Sequence, residues 1–405
     1  MTARIGRILA IADSESYVKW AARLLDGLDS LSARLVIVDS PIQPTPDQIR
    51  AAVAGTSWAD VLPPIVERHR LRALLSVTRP DILLAAATGP VVEQIFTTAA
   101  GMPRRPALVS GLPGVGLPAT LRGALHRRFG DAFITHSHPE AQAYSGLYAR
   151  RGIRAQVLVS RLPLLSSRQP PQQTTTAGQV TRLVFAPPQA KVPVEAEDRI
   201  AILRALDDWV RQDPDRWAVV KLRSREGEHE THHERHRYRD LLARLREEGR
   251  VSDRLVEDFG PMSDFLTPGT ALVTVSSTAA LESLDRGLPT LIISDFGVNE
   301  RMLNEAFAGS GLERTLAQMV SGDLPFPTRQ WLADNYFHPP DDQFEADLRR
   351  LVARAREGQL PRIAWPAARL GLRRLRAEVR TIAPAWVVSA YRSLAYPSRP
   401  ARSTP

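Results

Sequence analysis

The apolar runs of this chain do not alternate. Residues 5–12 read IGRILAIA, 81–87 DILLAAA and 271–275 ALVTV. A strand with one wet face alternates apolar and polar residues, whereas a strand covered on both faces stays apolar, as in a parallel sheet flanked by helices. Strand-like runs at 5–12, 33–38, 81–87, 106–110, 132–135 and 156–160 are separated by helical patterns at 17–28, 64–77, 91–100 and 139–151. This describes one doubly wound, Rossmann-like half. Residues 164–180, LLSSRQPPQQTTTAGQV, have the composition of a linker. The pattern then restarts, with strands at 182–186, 218–222, 256–259, 271–275 and 291–294 and helices at 196–212, 234–248, 279–286 and 300–308. Helices near 328–336 and 341–357 follow. The expected fold class is therefore α/β: two Rossmann-like domains facing a cleft, with a basic C-terminal helical tail. The expected divisions are 1–163, a linker at 164–180, 181–357 and a tail at 358–405. Open parallel sheets bind ligands outside the carboxyl ends of their strands, so the loops that follow strands carry the functional reading.

Composition narrows the classes. A chain of 405 residues can hold two cores. It has no cysteine, which excludes disulfides, thiolate metal sites and cysteine nucleophiles and fits a cytoplasmic enzyme. No apolar run approaches the ~18 residues of a membrane span. The N-terminal MTARIGRILAIADSES reads as a first strand, since no small-residue cleavage site follows its apolar run. Of the net charge of +9, nearly all lies in residues 362–405, which hold nine arginines and one glutamate. The nearly neutral body argues against nucleic acid as a partner. Only Lys19, Lys191 and Lys221 are lysines, each just beyond or near a strand end in a polar stretch. A lysine is a compact point charge that arginine does not replace at every site.

Six loops hold candidate chemistry. Asp13 and Glu15 leave the first strand; either is a carboxylate able to act as a general base, or the pair is a helix cap with an acidic first turn. Lys19 can meet a phosphate or pair with Glu15 at i,i+4. Residues 111–118, GLPGVGLP, form a stiff cleft-lining turn, without the spacing of a phosphate-binding glycine loop. His136 and His138 follow a strand and can reach the cleft. Gln189 and Lys191 sit in a proline-stiffened loop suited to a nucleotide contact. Lys221, Arg223 and Arg225 with His229 place cations at a strand end, where a phosphate or carboxylate would meet them. Residues 229–233, HETHH, fit the H-E-x-x-H pattern, but their charged flanks lack the amphipathic helix of a zinc protease, so no metal is expected. Finally Ser276, Ser277 and Thr278 pass from a strand to a helix. That geometry offers hydroxyls and a helix N-terminus to a phosphate, with an ordinary N-cap as the alternative.

The order strand, Ser-Ser-Thr, Ala-Ala-Leu-Glu, Gly-Leu-Pro-Thr over 273–290 resembles the nucleotide-sugar half of GT-B glycosyltransferases. Within them it resembles bacterial sialyl- and polysialyltransferases, which use CMP-activated acids. The resemblance implies that Ser276, Ser277 and Thr278 hold the donor phosphate and that a carboxylate of the first domain, here Asp13, is the base. Those enzymes also carry Lys-x-His-Pro; Lys221 matches, but Arg223-Ser224 stands in place of His-Pro. The stretches ADSESYVKW, FAPPQAKVP and KLRSREGEH are together similar to an actinobacterial family of glycosyltransferase type. The implied activity is inverting, metal-independent transfer from a nucleotide sugar to a cell-surface glycan or lipid-linked acceptor, with no cofactor. Alternatives are a nucleotide-sugar epimerase on the same fold and a non-catalytic binding protein.

The tail mixes its arginines with Trp365, Trp386, Tyr391 and Tyr396. Arginine with interfacial aromatics suits an anionic membrane surface and a peripheral location at the inner membrane face; a helix packed back on the first domain is the alternative.

Overall fold

The computed structural model describes residues 5–165, 170–188, 192–222, 236–339 and 343–363. The first sheet contains β1 (Gly6–Ala12), β2 (Leu31–Val38), β3 (Ile65–Val66), β4 (Ile82–Ala86), β5 (Ala107–Gly111), β6 (Ala132–Thr135) and β7 (Gln156–Val159). Its order is β3-β2-β1-β4-β5-β6-β7, and every pair is parallel. The second sheet contains β8 (Arg182–Phe185), β9 (Trp217–Leu222), β10 (Leu255–Phe259), β11 (Thr270–Thr274), β12 (Thr290–Ile293) and β13 (Glu313–Arg314). Its order is β10-β9-β8-β11-β12-β13, again all parallel. The expected pair of Rossmann-like sheets is present.

The local reasons follow the sequence. All five residues of β4 and all five of β11 are buried, which explains their unbroken apolarity. The helix Glu15–Asp26 buries Tyr17, Val18, Trp20, Ala21, Leu24 and Leu25, a helical stripe, against the first sheet. Full burial of Trp20 and its neighbours supplies roughly 1.5–3 kcal/mol per large side chain.

Four segments differ from the sequence reading. Residues 64–77 are not one helix. Pro63 and Pro64 favour extended backbone, so Ile65 and Val66 add to β2 as an edge strand, and the helix starts only at Leu71. Residues 300–308 form two short 3-10 turns, Glu300–Met302 and Glu305–Phe307, separated by Leu303 at φ 56°. Buried Asn304 enforces the break, donating to Gly297 O and accepting from Asn299 N. Two further helices, Pro46–Val53 and Leu121–Arg127, begin at threonine caps, Thr45 with a full capping box and Thr120.

The described part of residues 164–180 packs on the second half. Leu165 and Val180 are buried in its cores, and Thr174 N donates to Gly287 O. The closing helix Gln343–Arg356, grouped with the second half in the sequence reading, lies on β4, β5 and β7 of the first sheet. Gly6 admits it: a Cβ there would stand 2.9 Å from the Val352 methyls. Asp81 secures its end, accepting from Arg356 Nε (3.1 Å) and Nη2 (2.9 Å) and from Arg7 N (2.9 Å). The chain thus crosses between the halves twice, and the described residues up to 359 form one compact unit.

Candidate functional site

Each sheet has one place where strand order reverses, and crevices open there. In the first sheet it lies between β1 and β4, whose ends lead to Asp13 and Thr88. In the second it lies between β8 and β11, and β11 leads to Ser276. The two ends at that second crevice are tied, since Thr274 Oγ1 donates to Ala186 O at 2.7 Å.

Asp13 is fully buried. Its Oδ2 accepts from Thr88 N at 2.9 Å and Thr88 Oγ1 at 2.5 Å, while Oδ1 is buried with no hydrogen-bond partner among the described residues. Burial disfavours the carboxylate and raises its pKa; the Thr88 hydrogen bonds oppose this but do not cancel it. Asp13 caps no bond of its own helix, whose N-cap is Ser14. Glu15 is exposed in that helix's first turn. Lys19 does not pair with Glu15. It reaches the other half, where Nζ lies 3.3 Å from Glu282 Oε1.

Ser276, Ser277 and Thr278 are half-buried and line a cavity of about 310 Å³. Its opposite wall is the 111–118 loop with Phe133 and Tyr144, so both halves contribute. Ser276 Oγ donates to Leu303 O at 2.6 Å, and Ser277 Oγ accepts from Ala279 N at 3.2 Å. The latter is a local i,i+2 contact from the residue before the N-cap, which is Thr278. Thr278 makes no side-chain cap and faces Gly114, where a Cβ would stand 2.7 Å from its Oγ1. Lys221 is half-buried near the end of β9, two strands from β11. Gln189, Lys191, Arg223 and His229 lie outside the described residues, as do Arg225, the whole HETHH stretch and the tail from residue 364.

His136 serves the frame. It is fully buried, accepts from Trp20 Nε1 at 2.9 Å and donates from Nδ1 to Ser160 O at 2.8 Å. Burial lowers its pKa and keeps the ring neutral. His138 packs against His338, with ring centroids 5.1 Å apart.

Three groups escaped the sequence reading. Arg127 lines the cavity and is only 5% exposed. Glu140, equally buried, accepts from Gly116 N (2.6 Å), His136 N (2.8 Å) and Tyr336 OH (2.6 Å), the last belonging to the second crossing between the halves. Its pattern, Ser137-x-x-Glu140, looks like an ordinary capping box and hides that role. Leu303 occupies left-handed backbone, which costs a non-glycine residue roughly 1–2 kcal/mol, and it too lines the cavity. The readable signals were the Thr120 cap, which announces the helix bearing Arg127, and the Asn299/Asn304 pair around Leu303.

A family model described as "Putative glycosyltransferase (DUF6716)" matches residues 8–351. No curated protein matches the chain. Among solved structures, a "putative UDP-N-acetylglucosamine 2-epimerase from Listeria monocytogenes" is similar at 13% identity and TM-score 0.56, over 89% of this chain and 99% of that one. S. aureus MnaA in a co-structure with UDP is similar at 12% identity and TM-score 0.54, over 87% and 97%. A UDP-GlcNAc 2-epimerase of Methanocaldococcus jannaschii in complex with UDP-GlcNAc and UDP is similar at 10% identity and TM-score 0.51, over 86% and 99%. These likenesses are of fold. Among the described residues no helix is long and apolar enough to cross a membrane.

Proposed function

Starting from the fact that this chain belongs to the family so described, matched over residues 8–351, we propose that it transfers a sugar from a nucleotide-sugar donor to a hydroxyl acceptor, with inversion and without a metal. The observation that carries this reading is the shared cavity: the Ser276-Ser277-Thr278 turn of one half faces the 111–118 loop of the other. The donor phosphate sits against Ser276–Thr278, with Lys221 near the end of β9; Arg223, Gln189, Lys191 and His229, outside the described residues, belong to the same proposed donor set. Hydroxyl donors and cations there offset the charge that grows on the departing phosphate.

The acceptor hydroxyl approaches from the first half. Its oxygen bonds to the anomeric carbon as the bond from that carbon to the phosphate oxygen breaks, and the nucleotide leaves with the electron pair. The hydroxyl proton passes to Asp13. Two features support Asp13: among the described residues its Oδ1 has no hydrogen-bond partner, a place an acceptor hydroxyl would fill, and burial raises its pKa, which makes it a stronger base than an ordinary carboxylate. Glu15, exposed two residues on, is the second carboxylate of this reading. CMP-activated acids, a glycan or lipid-linked acceptor, and an anionic membrane surface under the 362–402 tail belong to the same reading.

A thermal-shift screen against CMP, UDP, GDP and their sugars tests it. A rise with one nucleotide series, and transfer lost in Asp13→Asn while nucleotide binding persists, is the expected pattern. No rise with any nucleotide removes the donor site. Conversion of the nucleotide sugar without acceptor makes the protein an epimerase. Salt-sensitive binding to anionic liposomes, lost on truncation after Gly358, tests the tail.

A further inference from the structure

Arg127 is a buried cation with no counter-ion among the described residues. Among the described residues no carboxylate lies within 4 Å of its guanidinium. Its Nη2 donates to Tyr17 OH (3.1 Å) and Ala87 O (3.2 Å), and its Nη1 to Gly123 O (3.2 Å), all neutral acceptors. The Nε–H is buried and has no acceptor among the described residues. The guanidinium carbon stands 5.9 Å from the Phe133 ring centroid. A buried charge normally finds an opposite charge, because leaving it unpaired costs several kcal/mol. Half-buried Arg105 shows the usual arrangement, bidentate on Asp131 (2.6 and 3.0 Å). Arg127 also lines the same cavity as Ser276–Thr278, from the opposite half.

We infer that Arg127 receives an anionic group of a substrate, a carboxylate or phosphate oxygen, inside this cavity. The inference rests on reading the cavity as the substrate site, and it narrows the substrate class: one of the two sugars that meet here is acidic or phosphorylated. The site is pre-built. Tyr17, Ala87 and Gly123 fix the plane of the guanidinium, so Nε–H is held ready while water is largely excluded. An arriving oxyanion supplies both the missing acceptor and the missing charge, and in a low-dielectric wall such a contact is strong. A neutral sugar would leave the cation uncompensated, so the cavity discriminates against it.

Crystals of the full chain grown with bromide test the anion site directly. The expected result is a bromide anomalous peak within hydrogen-bond reach of Arg127 Nε; a wild-type crystal without one overturns the inference. Two matched pairs then locate the source by calorimetry on wild type. UDP-glucuronate against UDP-glucose reads an acidic donor, and glucuronate against glucose with UDP present reads an acidic acceptor. The acid is expected to bind at least about tenfold better in one pair, with the preference lost in Arg127→Gln. Equal affinity within both pairs overturns the inference, and these wild-type measurements decide even if Arg127→Gln does not fold. Bromide at Arg127 with no nucleotide binding anywhere would support the anion site while removing the donor reading, so the two fail separately.

Discussion

Lys19 Nζ and Glu282 Oε1 stand 3.3 Å apart and join the helix after β1 to the helix after the Ser-Ser-Thr turn. Lys19 is a third exposed and Glu282 less so, which makes the pair weak as a stabiliser and well placed as a clasp between the halves. Lys19→Met is expected to lower unfolding free energy by less than about 1 kcal/mol, an effect that shrinks in high salt. Urea unfolding at two ionic strengths checks this. A larger, salt-insensitive loss would mean that Lys19 supports the fold in some other way.

Asp13 carries a pH signature. Its folded pKa is raised by burial, so the stability it leaves intact is fully present below its unfolded pKa, near 3.8, and is lost as pH rises through the folded value. Asp13→Asn cannot ionise and escapes this loss. The variant is expected to be more stable than wild type at neutral pH, with the difference shrinking on acidification, while transfer disappears. Denaturant titrations across pH check the sign; a variant less stable at neutral pH would contradict the buried-base account.

Asp81 should behave in the opposite sense. Burial alone would raise its pKa, but hydrogen bonds from Arg356 and Arg7 N, with the Arg356 charge, outweigh burial and hold it below the ordinary range. Its contribution is present above the unfolded pKa and lost as pH falls through the folded one. Arg356→Ala removes the clamp on the closing helix. It is expected to cost about 1–3 kcal/mol at neutral pH, less than a fully buried pair because Arg356 is half exposed. The cost should vanish in strong acid, as read by the same titrations.

Glu140 and Tyr336 bind the loop wall of the cavity to the second crossing. Tyr336→Phe removes one charge-assisted bond and is expected to cost about 1.5–3 kcal/mol. Glu140→Gln should cost more, because all three neighbours are donors and the amide must turn its own N–H groups toward one of them. The double variant is expected to lose less than the sum, since the residues share one network. Additive losses in a double-mutant cycle would mean that the two act independently.

The reach of sequence reasoning followed the range of the forces involved. Strands such as β4 and β11 were legible because burial on both faces writes itself into every residue. The Ser-Ser-Thr turn and the Asp13 loop were legible as strand ends because the strands that lead into them are unbroken apolar runs. Arg127 was not: in an arginine-rich chain it looks like any other surface cation, and only the packing of Tyr17, Phe133 and Ala87 around it makes it buried and unpaired. Glu140 was hidden by a local pattern that offers a sufficient local explanation. The helix expected at 64–77 starts only at Leu71 because of Pro63 and Pro64, whose effect is local but whose outcome, pairing with β2, is not.

Gly114 and Thr278 meet across the cavity, and the contact fixes how near its walls can come. A Cβ at residue 114 would stand 2.7 Å from Thr278 Oγ1, 3.3 Å from Cγ2 and 3.6 Å from Cβ. The first distance is shorter than any tolerable contact, and the second is tight. Gly114→Ala must therefore push the walls apart or turn Thr278 out of place, and nucleotide binding is expected to weaken roughly tenfold or more, in line with the 1–3 kcal/mol of an overpacked contact. The same variant carrying Thr278→Ala keeps only the 3.6 Å contact, which is ordinary van der Waals distance. It is expected to recover the thermal stability lost in Gly114→Ala, whereas Thr278→Ser, which retains the oxygen, should not. Melting curves and nucleotide titrations on the three variants read this directly. Recovery with serine as fully as with alanine would show that the walls do not meet through the Thr278 hydroxyl.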